Sequence, residues 1–124
     1  MPTAEVEEFA RVLVRQVRDV AVRNCDRLLR PNARSPIAVR WKGANDRGAS
    51  LSTVIPDAVD ETVFGLLSAI DQGALRVKFI SGNGHEIDLG EEGLGELAGW
   101  YMGSGGWRAT YSEERHFDDF ADLA

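Results

Sequence analysis

From Thr3 to Arg30 the hydrophobic positions Val6, Phe9, Leu13, Val17, Val20 and Leu28 recur at helical spacing, with Ala10, Ala21 and Cys25 widening the stripe. They predict one long helix. Thr3 is its candidate N-cap, Glu5, Glu7 and Glu8 suit the positive end of the helix dipole, Arg27 and Arg30 suit the other end, and Pro31 stops it. At about 1.5 Å per residue such a helix reaches about 40 Å, as wide as a compact domain of this size. It should therefore bend or break near Asn24, or pack in part against a second copy of the chain. Arg11, Arg15 and Arg18, then Arg23, Arg27 and Arg30, read as a solvated outer face with local pairs such as Glu7 to Arg11 and Asp19 to Arg23.

The pattern changes between Pro31 and Ser52, where prolines, glycines and the polar run Gly43 to Gly48 suggest a long connection with one extended piece at Ile37 to Trp41. A core helix follows from Pro56 to Gln72, with Val59, Val63, Leu66, Leu67 and Ile70 as its apolar stripe, Phe64 on its flank and Gly73 as C-terminal cap. A β-hairpin is expected next, with strands at Leu75 to Ser81 and His85 to Leu89. A three-residue Gly82-Asn83-Gly84 loop sets Phe79 opposite Ile87, Val77 opposite Leu89 and Lys78 opposite Asp88, which keeps the apolar side chains on one face; a two-residue turn would slip the register and swap the faces. Beyond it the pattern predicts a glycine-rich helix ending near Gly103, an extended Trp107 to Tyr111, and a short last helix from Glu113 to about Leu123, capped by Ser112, with Phe117 and Phe120 facing inward. The fold class is thus α+β: about four helices on a small antiparallel hairpin, in a single domain spanning 1–124.

Composition sharpens this picture in two places. A single cysteine, Cys25, excludes an internal disulfide framework, and MPTAEVEEF shows no basic region followed by an apolar core, so the expected location is cytoplasmic. Twelve Arg against two Lys suggest a high-GC bacterial genome. The net charge of −6 is unevenly spread. Residues 1–48 hold ten Lys/Arg and six Asp/Glu, a net of +4, and residues 49–124 hold four and fourteen, a net of −10. Such a chain is a poor candidate for nucleic-acid binding, and an acidic surface would steer a basic partner.

Candidate chemistry concentrates in Gly95 to Tyr111, GELAGWYMGSGGWRATY, where Gly95, Gly99 and Gly103 recur every fourth residue among Trp100, Tyr101, Trp107 and Tyr111. No apolar run there is long enough to span a membrane. Ser104-Gly105-Gly106 reads as a loop presenting Trp107 and Arg108 to a partner, Trp and Arg being typical interface anchors. Trp100, Tyr101, Trp107 and His85 could line a pocket between the hairpin and this stretch, while Asn45, Asp46 and Arg47 form a second, polar loop candidate. The two histidines, His85 and His116, stand in no spaced set of the kind that binds a metal. Met102-Gly103-Ser104-Gly105-Gly106 lacks the first glycine of a nucleophile elbow. No catalytic residue, metal site or cofactor is assigned.

The segment from Leu51 to Phe120, with its acidic-capped helix, glycine-turn hairpin and LGELAGWYMGSGGWRATYSEERHFDDF, resembles small bacterial proteins catalogued as domains of unknown function, and is similar in build to immunity proteins that neutralise toxins. The resemblance implies interaction in place of catalysis and transfers no functional residue. The leading expectation is a protein-interaction module with a protein partner, one of basic character, and with the capacity to form a homodimer. The alternative is a small-molecule-binding or catalytic domain with its pocket between the hairpin and the Gly95 to Tyr111 segment.

Overall fold

A computed structural model of the chain describes residues 3–46 and 50–118. The first helix runs unbroken through α1 (Ala4–Val12), a π-helical stretch (Leu13–Arg18) and α2 (Asp19–Leu28). Thr3 caps it, its Oγ1 accepting from the Val6 N–H at 3.2 Å. The adjustment to its length comes not near Asn24 but in the π turn, where the Asp19 N–H reaches five residues back to the Val14 carbonyl. Each helical residue turns the side-chain direction by about 100°, so one extra residue in a turn rotates everything beyond it back by about that amount. The buried row becomes Val6, Ala10, Val14, Arg18 and Val22, each 0 % exposed, while Val17 and Val20, expected inside, are 50 % and 36 % exposed. Arg18 therefore lies in the core and not on the outer face. The expected local pairs are replaced as well: Asp19 bonds Arg18, Arg23 reaches Glu113 and Glu114, and no ion pair joins Glu7 to Arg11 among the described residues.

The expected connection after Pro31 contains a helix, α3 (Pro36–Asp46). Ser35 caps it, its Oγ accepting from the Ala38 N–H at 3.2 Å, and Pro36 occupies the first turn, where its missing N–H costs nothing. Ile37 and Val39, which read as alternating strand positions, lie on its exposed side, and Ala38 is buried. The Lys42 ammonium ties this helix back to the carbonyls of Arg30, Pro31 and Ala33.

α4 (Leu51–Asp71) starts five residues before Pro56 and carries that proline inside it. Proline cannot donate to the carbonyl four residues earlier. That carbonyl, of Ser52, accepts instead from the Arg115 guanidinium, Nε at 3.1 Å and Nη2 at 2.7 Å, while the same guanidinium clasps Asp26 of α2 at 2.9 Å through each of two nitrogens. Val63, Leu67 and Ile70 enter the core as expected, whereas Leu66 is 42 % exposed. Gly73, at φ 77°, closes the helix.

β1 (Lys78–Ile80) and β2 (Glu86–Asp88) pair antiparallel with Lys78 opposite Asp88 and Phe79 opposite Ile87, the register of the three-residue loop. Asp88 then caps a one-turn helix, α5 (Leu89–Glu92), and both carboxylate oxygens of Asp71 cap α6 (Leu97–Met102) by accepting from Leu97 and Ala98 at 3.0 Å. Trp107–Tyr111 forms a helix, α7, and not an extended segment. The described part of the expected last helix, 112–118, is not helical, and the remainder lies outside the described residues. Ser112 caps no helix because its hydroxyl is bonded to Asp19 and to the backbone of Glu114. The result is mostly helical α+β: six helices, counting the composite first one once, with a two-stranded sheet among the described residues. Its apolar core joins Val6, Leu13, Leu67, Leu97 and Tyr101, with Phe9 packed edge-on against Phe79 and Trp107. No helix among the described residues is long and apolar enough to cross a membrane.

Candidate functional site

Successive residues of α6 and α7 divide between two environments. Tyr101 and Arg108 enter a sealed charge network, and Trp100 and Trp107 line an open cleft.

The network centres on Asp60 of α4. Its carboxylate accepts from Arg18 Nε at 3.0 Å, Arg108 Nη1 at 2.7 Å and the Tyr101 hydroxyl at 2.6 Å, and none of these four residues is more than 3 % exposed. Arg18 continues to Asp19 Oδ1 at 2.9 Å, to the Ser112 hydroxyl at 3.0 Å and to the Arg115 carbonyl at 2.6 Å, while Asp19 Oδ2 accepts the Glu113 N–H at 2.8 Å. Two guanidinium groups and two carboxylates thus meet, and the backbone of 113–115 finds in Arg18 and Asp19 partners that a helix would otherwise provide. Burial pushes the Asp60 carboxyl up, but the hydrogen bonds from Arg18, Tyr101 and Arg108 outweigh it and hold the group below the usual carboxylate range. Burial and the bond to Asp60 push the Tyr101 phenol far up, and burial beside Arg108 and Arg18 pushes the half-buried His116 down. Arg108 Nε is buried without an acceptor among the described residues. Closed to solvent, the network clasps the π turn, α4, α6, α7 and the following segment together.

The cleft, of about 390 Å³, opens between α1 and the α6–α7 corner and is lined by Glu7, Gly99, Trp100, Ser104, Trp107 and Tyr111, among others. The corner is tight. A Cβ on Gly106 would stand 2.2 Å from the Trp100 carbonyl, and one on Gly103 would stand 2.8 Å from that of Gly99, so neither position accepts a side chain without the backbone moving. The two indoles pack at 6.1 Å, tilted by 46°, and the Ser104 hydroxyl donates to Asp118 at 3.0 Å.

Of the residues singled out in the sequence, Trp100, Ser104 and Trp107 meet at the cleft, and Tyr101 and Arg108 belong to the network. The loop does not present Trp107 and Arg108 outward: they are 6 % and 3 % exposed, the helical α7 having turned both inward. His85 is elsewhere, on the hairpin tip with Nδ1 3.4 Å from Glu5, and no hairpin residue is among the cleft's described lining. Phe9, Phe79 and Trp107 pack in the region expected to hold a pocket between hairpin and glycine-rich helix. Asp46 is the last residue of α3, and Arg47 lies outside the described residues. Arg18, Asp19, Asp60 and Glu7 went unrecognised. Asp60 had a legible signal, since it stands three residues before Val63 and seven before Leu67 on the buried stripe; Arg18 had none, because only the π turn brings it inside.

Among the described residues no group of three or more His, Cys, Asp or Glu side chains is gathered as a metal ion would require. Comparison with protein-family models, curated proteins and solved structures finds no match to this chain.

Proposed function

We propose that the chain is a non-enzymatic protein-binding module of the bacterial cytoplasm that holds a basic partner at the α1/α6–α7 cleft, in the manner of an inhibitor or immunity-type protein. One observation carries this reading. The buried charges are all spent on one another, whereas Glu7, exposed at the cleft, has no ion pair among the described residues and stands beside aromatic faces. The excess of fourteen Asp/Glu over four Lys/Arg in residues 49–124 supplies the field that would draw such a partner in. The test is capture from native cytosol at low and high salt by the wild-type chain and by Glu7→Gln. A near-stoichiometric basic protein, lost at high salt and lost with Glu7→Gln, supports the reading. Capture indifferent to both salt and Glu7 overturns it, and recovery of the bait alone favours a small molecule in the same cleft.

Self-association rests on a different feature. An apolar groove of about 270 Å³ between α2 and α4, lined by Val17, Ala21 and Ala58, adjoins a second of about 290 Å³ lined by Trp41, Val54 and Ala58. It lies between the first helix and the first half of α4, where a two-fold copy would cover apolar surface on both protomers. Sedimentation equilibrium decides it: a dimer that Val17→Lys dissociates supports it, and a monomeric wild type at high micromolar concentration rejects it.

A further inference from the structure

Resting on the protein-binding reading, we propose that the cleft is the pocket for one arginine residue of the partner, with its guanidinium on Glu7, its stem along Trp100 and Tyr111, and its peptide carbonyl on the indole N–H of Trp107. Four independent features meet there. Glu7 provides the one carboxylate among the described lining residues, and its side chain has no ion pair or hydrogen bond among the described residues. Trp100 and Tyr111 provide aromatic faces, on which a planar guanidinium stacks more readily than an ammonium. Trp107 is 6 % exposed, yet its indole N–H donates to no described group and is not among the sealed, unpartnered atoms. That N–H is therefore not sealed from solvent, and the cleft is the cavity that Trp107 lines. The fourth feature is Gly99. Among the cleft's glycines, Gly103 and Gly106 are required by close approach and Gly105 by its φ of 71°, but a Cβ on Gly99 would meet nothing within 4 Å. A helical glycine that the fold does not require leaves the cleft floor free of a side chain.

This combination of donor and acceptor sets the ligand class. A free amine or guanidine would satisfy Glu7 and leave the Trp107 N–H unmet, whereas an arginine within a peptide satisfies both. At about 390 Å³ the cleft is near the lower end of the usual range for ligand pockets, about 300–1,000 Å³, suited to a single residue and not to a folded element.

The chain has three tryptophans, Trp41, Trp100 and Trp107, so its three indole N–H resonances form a compact assay, with Trp41 on α3 as internal control. The intact chain is titrated with blocked Gly-Arg-Gly amide, with its neutral citrulline counterpart and with Gly-Glu-Gly amide. The arginine peptide should shift the Trp100 and Trp107 indole peaks and leave Trp41 in place. Citrulline should bind about tenfold more weakly, as should the arginine peptide to Glu7→Gln, the loss of one charge-assisted pair. Gly99→Ala should weaken the shifts while melting no lower than wild type, since its Cβ meets nothing within 4 Å. Arginine and citrulline peptides of equal affinity, or arginine shifts that persist undiminished in both variants, would overturn the inference. If a basic peptide moves resonances elsewhere but neither indole, the arginine pocket and the cleft as binding site both fail, and only the expectation of a basic partner stands; if neither the tripeptide nor an arginine-rich decapeptide moves any resonance, that expectation fails as well.

Discussion

Trp100 and Tyr101 are neighbours, as are Trp107 and Arg108, yet one member of each pair lines an open cleft and the other closes a buried network. The difference is one of polar satisfaction. Around Asp60 every carboxylate oxygen is met by a donor, with Arg108 Nε the one sealed atom left without an acceptor among the described residues, and the charges can be sealed because two arginines balance two aspartates. At the cleft Glu7 and the Trp107 indole are left without partners among the described residues, a state that is inexpensive only where water or a ligand can reach them. Polar groups in the first region stabilise the fold, and those in the second are free to act on something else.

The strongest way to break this contrast is Asp60→Ala. It leaves the buried Arg108 guanidinium with no carboxylate and Arg18 with Asp19 alone, and should cost about 3–5 kcal/mol, measured by urea unfolding. Asp57→Ala, three residues away and exposed, should stay within about 0.5 kcal/mol. A cost under about 1 kcal/mol for Asp60→Ala would mean that the network is incidental.

Tyr101→Phe removes the 2.6 Å bond to Asp60 and should cost about 2 kcal/mol, as bonds to charged groups do. It also has a pH signature. The folded pKa of Tyr101 is raised, so its contribution is complete below the unfolded value of about 10 and declines as pH rises above it. Stability of the wild type should therefore fall with pH above about 10, and Tyr101→Phe should flatten that limb. Asp60, with a depressed folded pKa, acts in the opposite sense: its contribution is present above the unfolded value of about 4 and is lost as pH falls through the folded one.

How much of this was legible in the sequence follows the same division. The hairpin register could be read because a slip would have turned Phe79 and Ile87 to water, and the α4 core stripe because Val63, Leu67 and Ile70 repeat cleanly. The cleft's aromatic and glycine residues were recognised by composition, but their orientation was not, since an extended Trp107–Tyr111 and a helical one expose different side chains. The network was hidden for a physical reason. It depends on a π turn that rotates Arg18 inward and on Ser112 bonding Asp19 in place of capping a helix, and both are tertiary choices that local periodicity does not encode. α3 was missed by reading the prolines and glycines of this stretch as loop signals, although Pro36 behind a capping Ser35 also starts a helix.

Arg115 is an intermediate case, 38 % exposed along its side chain, bonded to Asp26 and filling the acceptor that Pro56 leaves at Ser52. Arg115→Ala should cost about 1 kcal/mol, less than a sealed charge and more than a free surface one. Because Pro56 leaves the Ser52 carbonyl without its helical donor, Pro56→Ala would supply an N–H that competes with Arg115, and the two changes should be non-additive in a double-mutant cycle. Strict additivity would show that the Ser52 contact contributes nothing.

The smallest effect on stability, and the sharpest on the contrast, belongs to Gly99→Ala. Glycine inside a helix costs about 0.5–1 kcal/mol relative to alanine, and nothing stands within 4 Å of the new Cβ. The variant should therefore gain about that much in urea unfolding, while its methyl group intrudes on the cleft floor and weakens whatever the cleft holds. A gain in stability with a loss of binding would mark Gly99 as a position where the fold gives up free energy to keep space open. Lower stability in Gly99→Ala would instead assign the glycine to packing, and the cleft would then be a by-product of the tight corner at Gly103 and Gly106.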